Sequence, residues 1–355
     1  MLRSASAVRR VALVRLGSAA PMGQQTYESE LQAALQRRAG GRWIVSDRSI
    51  LPMRARHRVG RRLPLRLLWA APYGVAAAVG SVVYGRADVV HRLDLRCPPS
   101  GRREVLTIHD LPPLRFNDEG SLPHWAARSA RAATAVICPS RFAAAEVREL
   151  LHVDQTHVVP YGIDPERSRA EPLSRAELST LGLGEPLVVH AAGASARKNL
   201  GLLAAAWPRV LREHPDAFLA LCGPPHTRRD ALFADLTHVS YVGHVPPQYV
   251  ARLMRTAAVV AVPSTYEGFG LPALEGMAAG AAVVASACGA LPEVCGDGAL
   301  LVRPDPAEFA NAIGEALSGG GAVEKLRATG RARAASFSWE RAAADTVAIY
   351  EAAFS

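Results

Sequence analysis

Two glutamates with seven residues between them, Glu267 and Glu275, close the ends of the string Glu-Gly-Phe-Gly-Leu-Pro-Ala-Leu-Glu. The string follows an apolar run, 259–262, that reads as a buried strand. Gly268 and Gly270 permit positive φ and a close backbone approach to a ligand. Pro272 is a favoured residue at the opening of a helix. A helix starting there presents unpaired N–H groups and the positive end of its dipole, which together seat a phosphate. Glu267 then lies on the turn and Glu275 about one turn into the helix. Carboxylates beside an anion site make sense when the ligand also carries hydroxyls, because a carboxylate accepts two hydrogen bonds from a vicinal diol. A nucleotide-activated sugar has the phosphates and the diols. Either glutamate alone is as readily a cap of a turn or helix.

A second candidate pair, Arg197 and Lys198, follows an apolar run at 187–192 and Gly193. Two cations beyond a strand end suit the neutralisation of a departing diphosphate. No Asp-x-Asp cluster stands near a strand end, so fixed cations are expected in place of a metal, with no cofactor. The plain alternative is a solvated loop pair. His109 ends the run 105–109 and is a candidate catalytic group, with Asp110 orienting it or capping the next turn. A lone histidine is as readily a satisfied surface or core residue. Gly23 precedes the first amphipathic stretch and allows a close approach there.

Parallel strands with crossover helices would position these groups. Strand-like runs at 11–16, 43–46, 87–91, 105–109, 135–138 and 158–160 alternate with helical periodicity at 27–38, 125–133 and 141–151. A polar stretch, 166–184, reads as a linker. The alternation resumes with strands at 187–192, 218–222, 241–242, 259–262 and 281–285, and helices at 200–213, 274–279 and 306–317. A final amphipathic segment, 339–354, has Ser338 as its expected N-cap. The expected domains are 1–165, 185–335 and a C-terminal helix within 336–355. In open parallel sheets, ligands sit beyond the C-terminal ends of the strands, which is where each candidate residue falls.

Composition excludes several classes. With 49% apolar and 21% charged residues in 355, the chain is globular. Five cysteines, none in a C-x-x-C pair, read as reduced thiols in a cytoplasmic protein. Aromatics at 6% with no basic stripe interleaved disfavour nucleic acid. The run 63–84 is apolar but broken by Arg66, Pro72 and Gly74, which argues against a spanning helix. Arg54, Arg56, Arg58, Arg61, Arg62 and Arg66 precede or enter it. Residues 54–84 therefore read either as a peripheral contact with the inner face of a membrane or as a buried helix with a solvated basic flank.

The run from Tyr241-Val-Gly-His-Val-Pro246 through 263–280 to Leu291-Pro-Glu-Val and Asp297-Gly-Ala-Leu-Leu-Val302 resembles family 4 glycosyltransferases. Arg197-Lys198-Asn-Leu200, Thr107-Ile-His-Asp-Leu111 and Val159-Pro-Tyr-Gly-Ile-Asp164 add to the resemblance, the second matching a mannosyl- and rhamnosyltransferase-like branch. The resemblance implies the GT-B fold: two facing Rossmann-like domains with parallel sheets and an interdomain cleft, the C-terminal helix crossing back to the first. It implies that Glu267 touches the sugar hydroxyls and that Glu275 holds the ribose. The backbone of Phe269, Gly270 and Leu271 would hold sugar and phosphate, and Gly243 to Val245 would bracket the base. A second arginine common in the family is Ala194 here, and Arg197 is expected to cover that contact. The usual Gly-Gly before the first helix is Met22-Gly23, and the Asn of the hinge is Tyr161.

The implied reaction is retaining transfer of a hexose from a nucleotide-diphosphate sugar to a glycan or lipid-linked acceptor, without metal. GDP-mannose is the implied donor, with UDP- and dTDP-sugars as alternatives. Two other readings stand beside it: a nucleotide-sugar epimerase on the same fold, and a non-catalytic nucleotide-sugar-binding homologue.

Overall fold

The computed structural model describes residues 8–17, 23–38, 42–55 and 59–354. The chain forms two compact units, 1–162 together with 339–355, and 163–338. The first holds β1 (Arg9–Leu16), β2 (Trp43–Pro52), β3 (Arg61–Leu63), β4 (Val89–Arg92), β5 (Glu104–Thr107), β6 (Ala135–Cys138) and β7 (Thr156–Val158). They form one parallel sheet in the order β3-β2-β1-β4-β5-β6-β7. The second holds β8 (Leu187–Ala191), β9 (Phe218–Cys222), β10 (Val239–Gly243), β11 (Val259–Val262), β12 (Ala282–Ser286) and β13 (Leu300–Val302), parallel in the order β10-β9-β8-β11-β12-β13. Both sheets are Rossmann-like, with strand order reversing between β1 and β4 and between β8 and β11. Such switch points are where ligands bind.

Burial explains which strands were legible. Val188, Val189, Val259, Val260 and Val283 are fully buried, as residues covered on both faces of a parallel sheet must be. β2 runs to Pro52, well beyond the expected 43–46. Only the three-residue β3 lies outside it, so its middle is half-buried and carries Ser46, Asp47 and Arg48. The strand β5 ends at Thr107, leaving His109 two residues past it. A helix at Gly321–Ala335 had no counterpart in the reading. It buries only Val323, Gly330 and Ala334, small residues that leave little apolar periodicity.

The stretch expected as a linker carries two short helices, Pro165–Ser168 and Arg175–Thr180, and lies within the second unit. A capping box between Ser174 and Glu177 starts the latter, and Arg252 donates to both carboxylate oxygens of Glu177 at 2.8 and 2.9 Å. The helix Trp339–Ala352 returns to the first unit and packs on the helix Gly23–Arg38. There the Tyr350 hydroxyl bonds Nδ1 of buried His91 at 2.6 Å, and Nε2 of that ring meets Thr107 at 2.8 Å. Burial pushes His91 down to about 3, so the ring is neutral.

The first unit also buries a complete ion pair. Arg92 on β4 donates to Glu104 on β5 at 2.8 Å, to the Cys97 carbonyl at 2.6 Å and to Ser129 at 2.8 Å. Glu104 also accepts from the N–H and hydroxyl of Ser100. Removing one partner of such a pair strands the other charge. Arg92→Met is therefore expected to cost about 3–5 kcal/mol in urea unfolding. Arg92→Met with Glu104→Gln should recover part of that loss.

Candidate active site

The second sheet brings two loops together because β8 and β11 are neighbours. β8 runs into a single 3-10 turn, Ala196–Lys198, which Asn199 ends at φ 50° before the helix Leu200–Glu213. β11 runs through 263–270 into the helix Leu271–Ala279. The backbone N–H of Thr265 donates to the Arg197 carbonyl at 2.9 Å and joins the two loops. Lys198 Nζ then lies 2.7 Å from Glu267 Oε1, and Arg197 3.3 Å from Glu267 Oε2. The Ser264 hydroxyl is the carboxylate's third donor, bonding Oε1 at 2.7 Å.

Glu267 is buried. Burial pushes its pKa up, but the charges of Lys198 and Arg197 and the hydrogen bonds from Lys198 and Ser264 outweigh it. The carboxyl is held below its ordinary value and stays ionised. One carboxylate against two cations leaves the cluster with net positive charge.

The helix that follows begins as the glycines suggested, with one difference. Gly270 is the N-cap at φ 99°, whereas Gly268 lies outside the positive-φ region. Leu271 opens the helix and Pro272 comes second; no side chain caps this end. Phe269 is buried edge-on against Phe337, ring centres 5.7 Å apart. Glu275, on the first turns, accepts from Arg167, a residue of the stretch expected as a linker. Burial raises the Glu275 pKa, and Arg167 offsets this only in part. Gly243 ends β10 at φ 79°, and its carbonyl accepts from the Gly223 N–H at 2.9 Å. Val245 is half-buried just beyond. Ala194, where the family often has arginine, is buried in the core.

Three contributors in this unit were not singled out from sequence. Arg167 is one. His190 on β8 is buried, its Nδ1 bonding the Ala261 carbonyl at 3.0 Å and its Nε2 without a partner among the described residues. Burial lowers it to about 4, so a neutral ring lies near Lys198 and Glu267. Gly289 is the third. A Cβ there would lie 2.8 Å from both N and O of Glu267, and the Glu267 carbonyl accepts from Ala290 N–H at 3.0 Å. No motif marks Gly289; its closeness to Glu267 exists only in the fold.

In the first unit, His109 is committed at both ring nitrogens. Nε2 bonds the Leu93 carbonyl at 2.9 Å and so carries the hydrogen, and Nδ1 accepts from the Tyr161 hydroxyl. Burial lowers its pKa to about 4. The ring is therefore a neutral, fixed group in this arrangement and not a proton acceptor. Gly23 is the first residue of its helix, while Met22 lies outside the described residues. Next to Gly23, Gln24 donates to Glu28 at 3.1 Å and to Asp94 at 3.0 Å. Burial, with Asp94 near, raises Glu28 to about 8. A signal existed for Glu28, which shares a helix face with Leu31 and Leu35. Among the described residues no group of three or more His, Cys, Asp or Glu is placed to hold a metal ion, and no helix is long and apolar enough to cross a membrane.

Comparison with known proteins agrees with this geometry. The profile of Glycosyltransferase Family 4 matches residues 23–167, and that of Glycosyl transferases group 1 matches 185–319. The alpha-maltose-1-phosphate synthase of Mycolicibacterium smegmatis is 32% identical over 313 residues, 78% of this chain and 76% of that one. The MMP alpha-(1->4)-mannosyltransferase of Mycolicibacterium hassiacum is 36% identical over 220 residues, 56% of this chain and 49% of that one. The chain spans about half the length of the first curated relatives it matches. Among solved structures, the sucrose-phosphate synthase of Thermosynechococcus elongatus superposes with a TM-score of 0.75 at 25% identity, over 98% of this chain and 99% of that one. With two Rossmann-like parallel sheets, both profiles and a relative matched over most of its length, the chain belongs to the family 4 glycosyltransferases of GT-B fold.

Proposed function

We propose that the protein is a retaining glycosyltransferase that moves a hexose from a nucleoside-diphosphate sugar to a hydroxyl of a glycan or lipid-linked acceptor, without a metal. The observation that carries this reading is the cluster of buried Lys198 and Glu267 with half-buried Arg197, beside the start of the helix Leu271–Ala279. The net positive charge there suits a leaving diphosphate, and the preorganised donors need no rearrangement as charge develops. Glu267 is poor as a nucleophile because donors occupy both its oxygens, which supports transfer without a covalent sugar–enzyme bond. In the step, the acceptor oxygen bonds C1 of the sugar as C1–O to the diphosphate breaks on the same face. The diphosphate leaves with the electron pair, and the hydroxyl proton passes to the leaving oxygen or to solvent. His109 keeps a place in the reading as a neutral positioning group. Gly243, Val245, Gly268, Phe269, Gly270 and Leu271 keep theirs as backbone and shape around the donor.

GDP-mannose is the proposed donor, supported by the mannosyltransferase relative and the His109-Asp110 string. Thermal shift across GDP-, UDP- and dTDP-sugars tests it, since a matched donor at a hundred times its Kd adds about 2.7 kcal/mol. NMR of the product's anomeric configuration then tests retention. If no nucleotide sugar shifts the melting point, the donor site is wrongly assigned. The reading places the protein in the cytoplasm, with a peripheral contact at the inner face of a membrane through 54–84.

Arg167→Ala separates binding from chemistry. Its loss removes the cation on Glu275, and burial then raises that carboxyl further. Donor KM is expected to rise about tenfold with kcat little changed, the size of one charge-assisted hydrogen bond. The defect should grow as pH falls, because the unsupported carboxyl protonates first. Arg167→Lys should restore part of the affinity.

A further inference from the structure

The helix Tyr73–Tyr84, with sequence YGVAAAVGSVVY, contains no charged residue. Its inner face buries Ala76, Gly80, Val83 and Tyr84. Gly80 lets it press on the backbone, since a Cβ there would lie 2.0 Å from the Pro99 carbonyl. The outer face is apolar too. Val75, Ala78 and Val82 are exposed at helical spacing, Val75 by 50% and Val82 by 76%. On the preceding helix, Leu65–Ala70, Leu67 is exposed by 74%. A helix apolar on every side ordinarily lies in a core or in lipid. Scattered exposed valines need no explanation, but a solvent-facing stripe without one charge marks a contact surface.

The surroundings indicate what covers it. From Arg48 to Ala87 the sequence has no Asp or Glu and eight arginines, seven of them by Arg66 and the eighth at Arg86. Arg61, Arg62 and Arg66 are exposed just before the apolar stripe, and Arg86 is exposed just past its end. At the other end Arg128 lies 4.5 Å over the ring of Tyr73. Arg56, His57 and Arg58 fall outside the described residues. Cations around an apolar stripe match anionic headgroups over acyl chains. A second copy of this chain is the poorer occupant, because a two-fold contact would set this arginine rim against itself.

We propose that the exposed apolar residues Leu67, Val75, Ala78 and Val82, flanked along the chain by exposed Arg61, Arg62, Arg66 and Arg86, dock on an anionic lipid leaflet. This deepens the peripheral contact proposed above and rests on that contact alone, not on the donor chemistry. The exposed stripe would enter the headgroup boundary and the arginines would pair with lipid phosphates.

The test is flotation of the full chain with vesicles of phosphatidylcholine alone and with about a third phosphatidylglycerol. Wild type should float with the anionic vesicles only, and raised salt should weaken that binding. Val75→Asp with Val82→Asp should lower vesicle affinity at least tenfold, and Arg61→Glu with Arg62→Glu and Arg66→Glu should abolish it. Both variants should keep the wild-type melting point and the wild-type shift with nucleotide sugar. Equal binding to both vesicle types, no binding to either, or a concentration-dependent dimer that Val82→Asp abolishes would overturn the proposal. Vesicle binding without any nucleotide-sugar shift would leave this face standing and remove the donor site.

Discussion

Replacing Lys198 with methionine is expected to lower turnover about a hundred- to thousandfold, the range for losing one preorganised group that stabilises charge in the transition state. Lys198 Nζ is 2.7 Å from Glu267, and both side chains are buried. The substitution removes a cation from the proposed leaving-group site and also strands a carboxylate. Removing one partner of a buried pair costs about 3–5 kcal/mol, and the remaining contact from Arg197 at 3.3 Å holds this toward the lower end. Stability and activity can be separated. Lys198→Met with Glu267→Gln should regain much of the stability in urea unfolding, because the buried carboxylate is gone and only the half-buried Arg197 loses its ion pair with Glu267, while turnover stays low. Equal recovery of both would mean that Lys198 serves only the fold.

The pH dependence follows the same linkage. In the wild type the Glu267 carboxyl is held below its ordinary value of 4.5. Its pairing therefore stabilises the fold above that value and is lost as pH falls through the depressed pKa. In Lys198→Met the opposing cation is gone, burial dominates, and the pKa of Glu267 rises. The deficit against wild type should be largest at neutral pH and narrow in acid. Urea titrations between neutral pH and about pH 4 test this, the window in which a carboxylate of ordinary pKa near 4 changes charge. A deficit independent of pH would sink the assignment of the loss to Glu267.

Gly289→Ala is expected to disable the site without touching any charged group. Gly289 sits at φ 59°, and an added Cβ would meet the backbone N and O of Glu267 at 2.8 Å. Those atoms cannot yield without moving the turn that carries Glu267, and the Ala290–Glu267 hydrogen bond would move with it. Strain of this kind costs on the order of 1–3 kcal/mol. A displacement of about 1 Å at a reacting group can cost a hundredfold in rate. The expected result is a folded protein, several degrees less stable, with kcat down by roughly that factor. Gly319→Ala is the control. It also has positive φ, at 72°, but nothing lies within 4 Å of its Cβ. If both alanine variants behave alike, backbone strain alone explains the effect and the Glu267 contact carries nothing.

The strands most fully buried were the most legible. The run 259–262 matches β11, and 218–222 matches β9, because apolar runs in a doubly covered sheet have no polar residues to blur their ends. β2 was cut short because it lies near the sheet edge and half its side chains meet water. The short helices at 165–168 and 175–180 carry no apolar periodicity: the first is held by its Asp164 cap, the second by its capping box and by Arg252, with Leu178 its one buried apolar residue. Gly268 and Gly270 both permit positive φ, and the helix start decides that Gly270 takes it.

The sequence by itself determined that a turn with two glutamates enters a helix after a buried strand, and that two cations follow another. These are local facts, set by residue type and by spacing along one chain. Which groups then meet was decided only by the tertiary structure. Pairing β8 beside β11 brings Lys198 to Glu267 across 69 positions of sequence, and packing of the helix Pro165–Ser168 on Leu271–Ala279 brings Arg167 to Glu275 across 108. The same fold brings Gly289 against the backbone of Glu267 and leaves His190 neutral near Lys198. Such contacts depend on strand order, and strand order minimises the free energy of whole sheets and cores, not of any one segment. Glu267, a hydroxyl-holding group by its motif, is in the folded chain first an ionised carboxylate held by two cations and a serine.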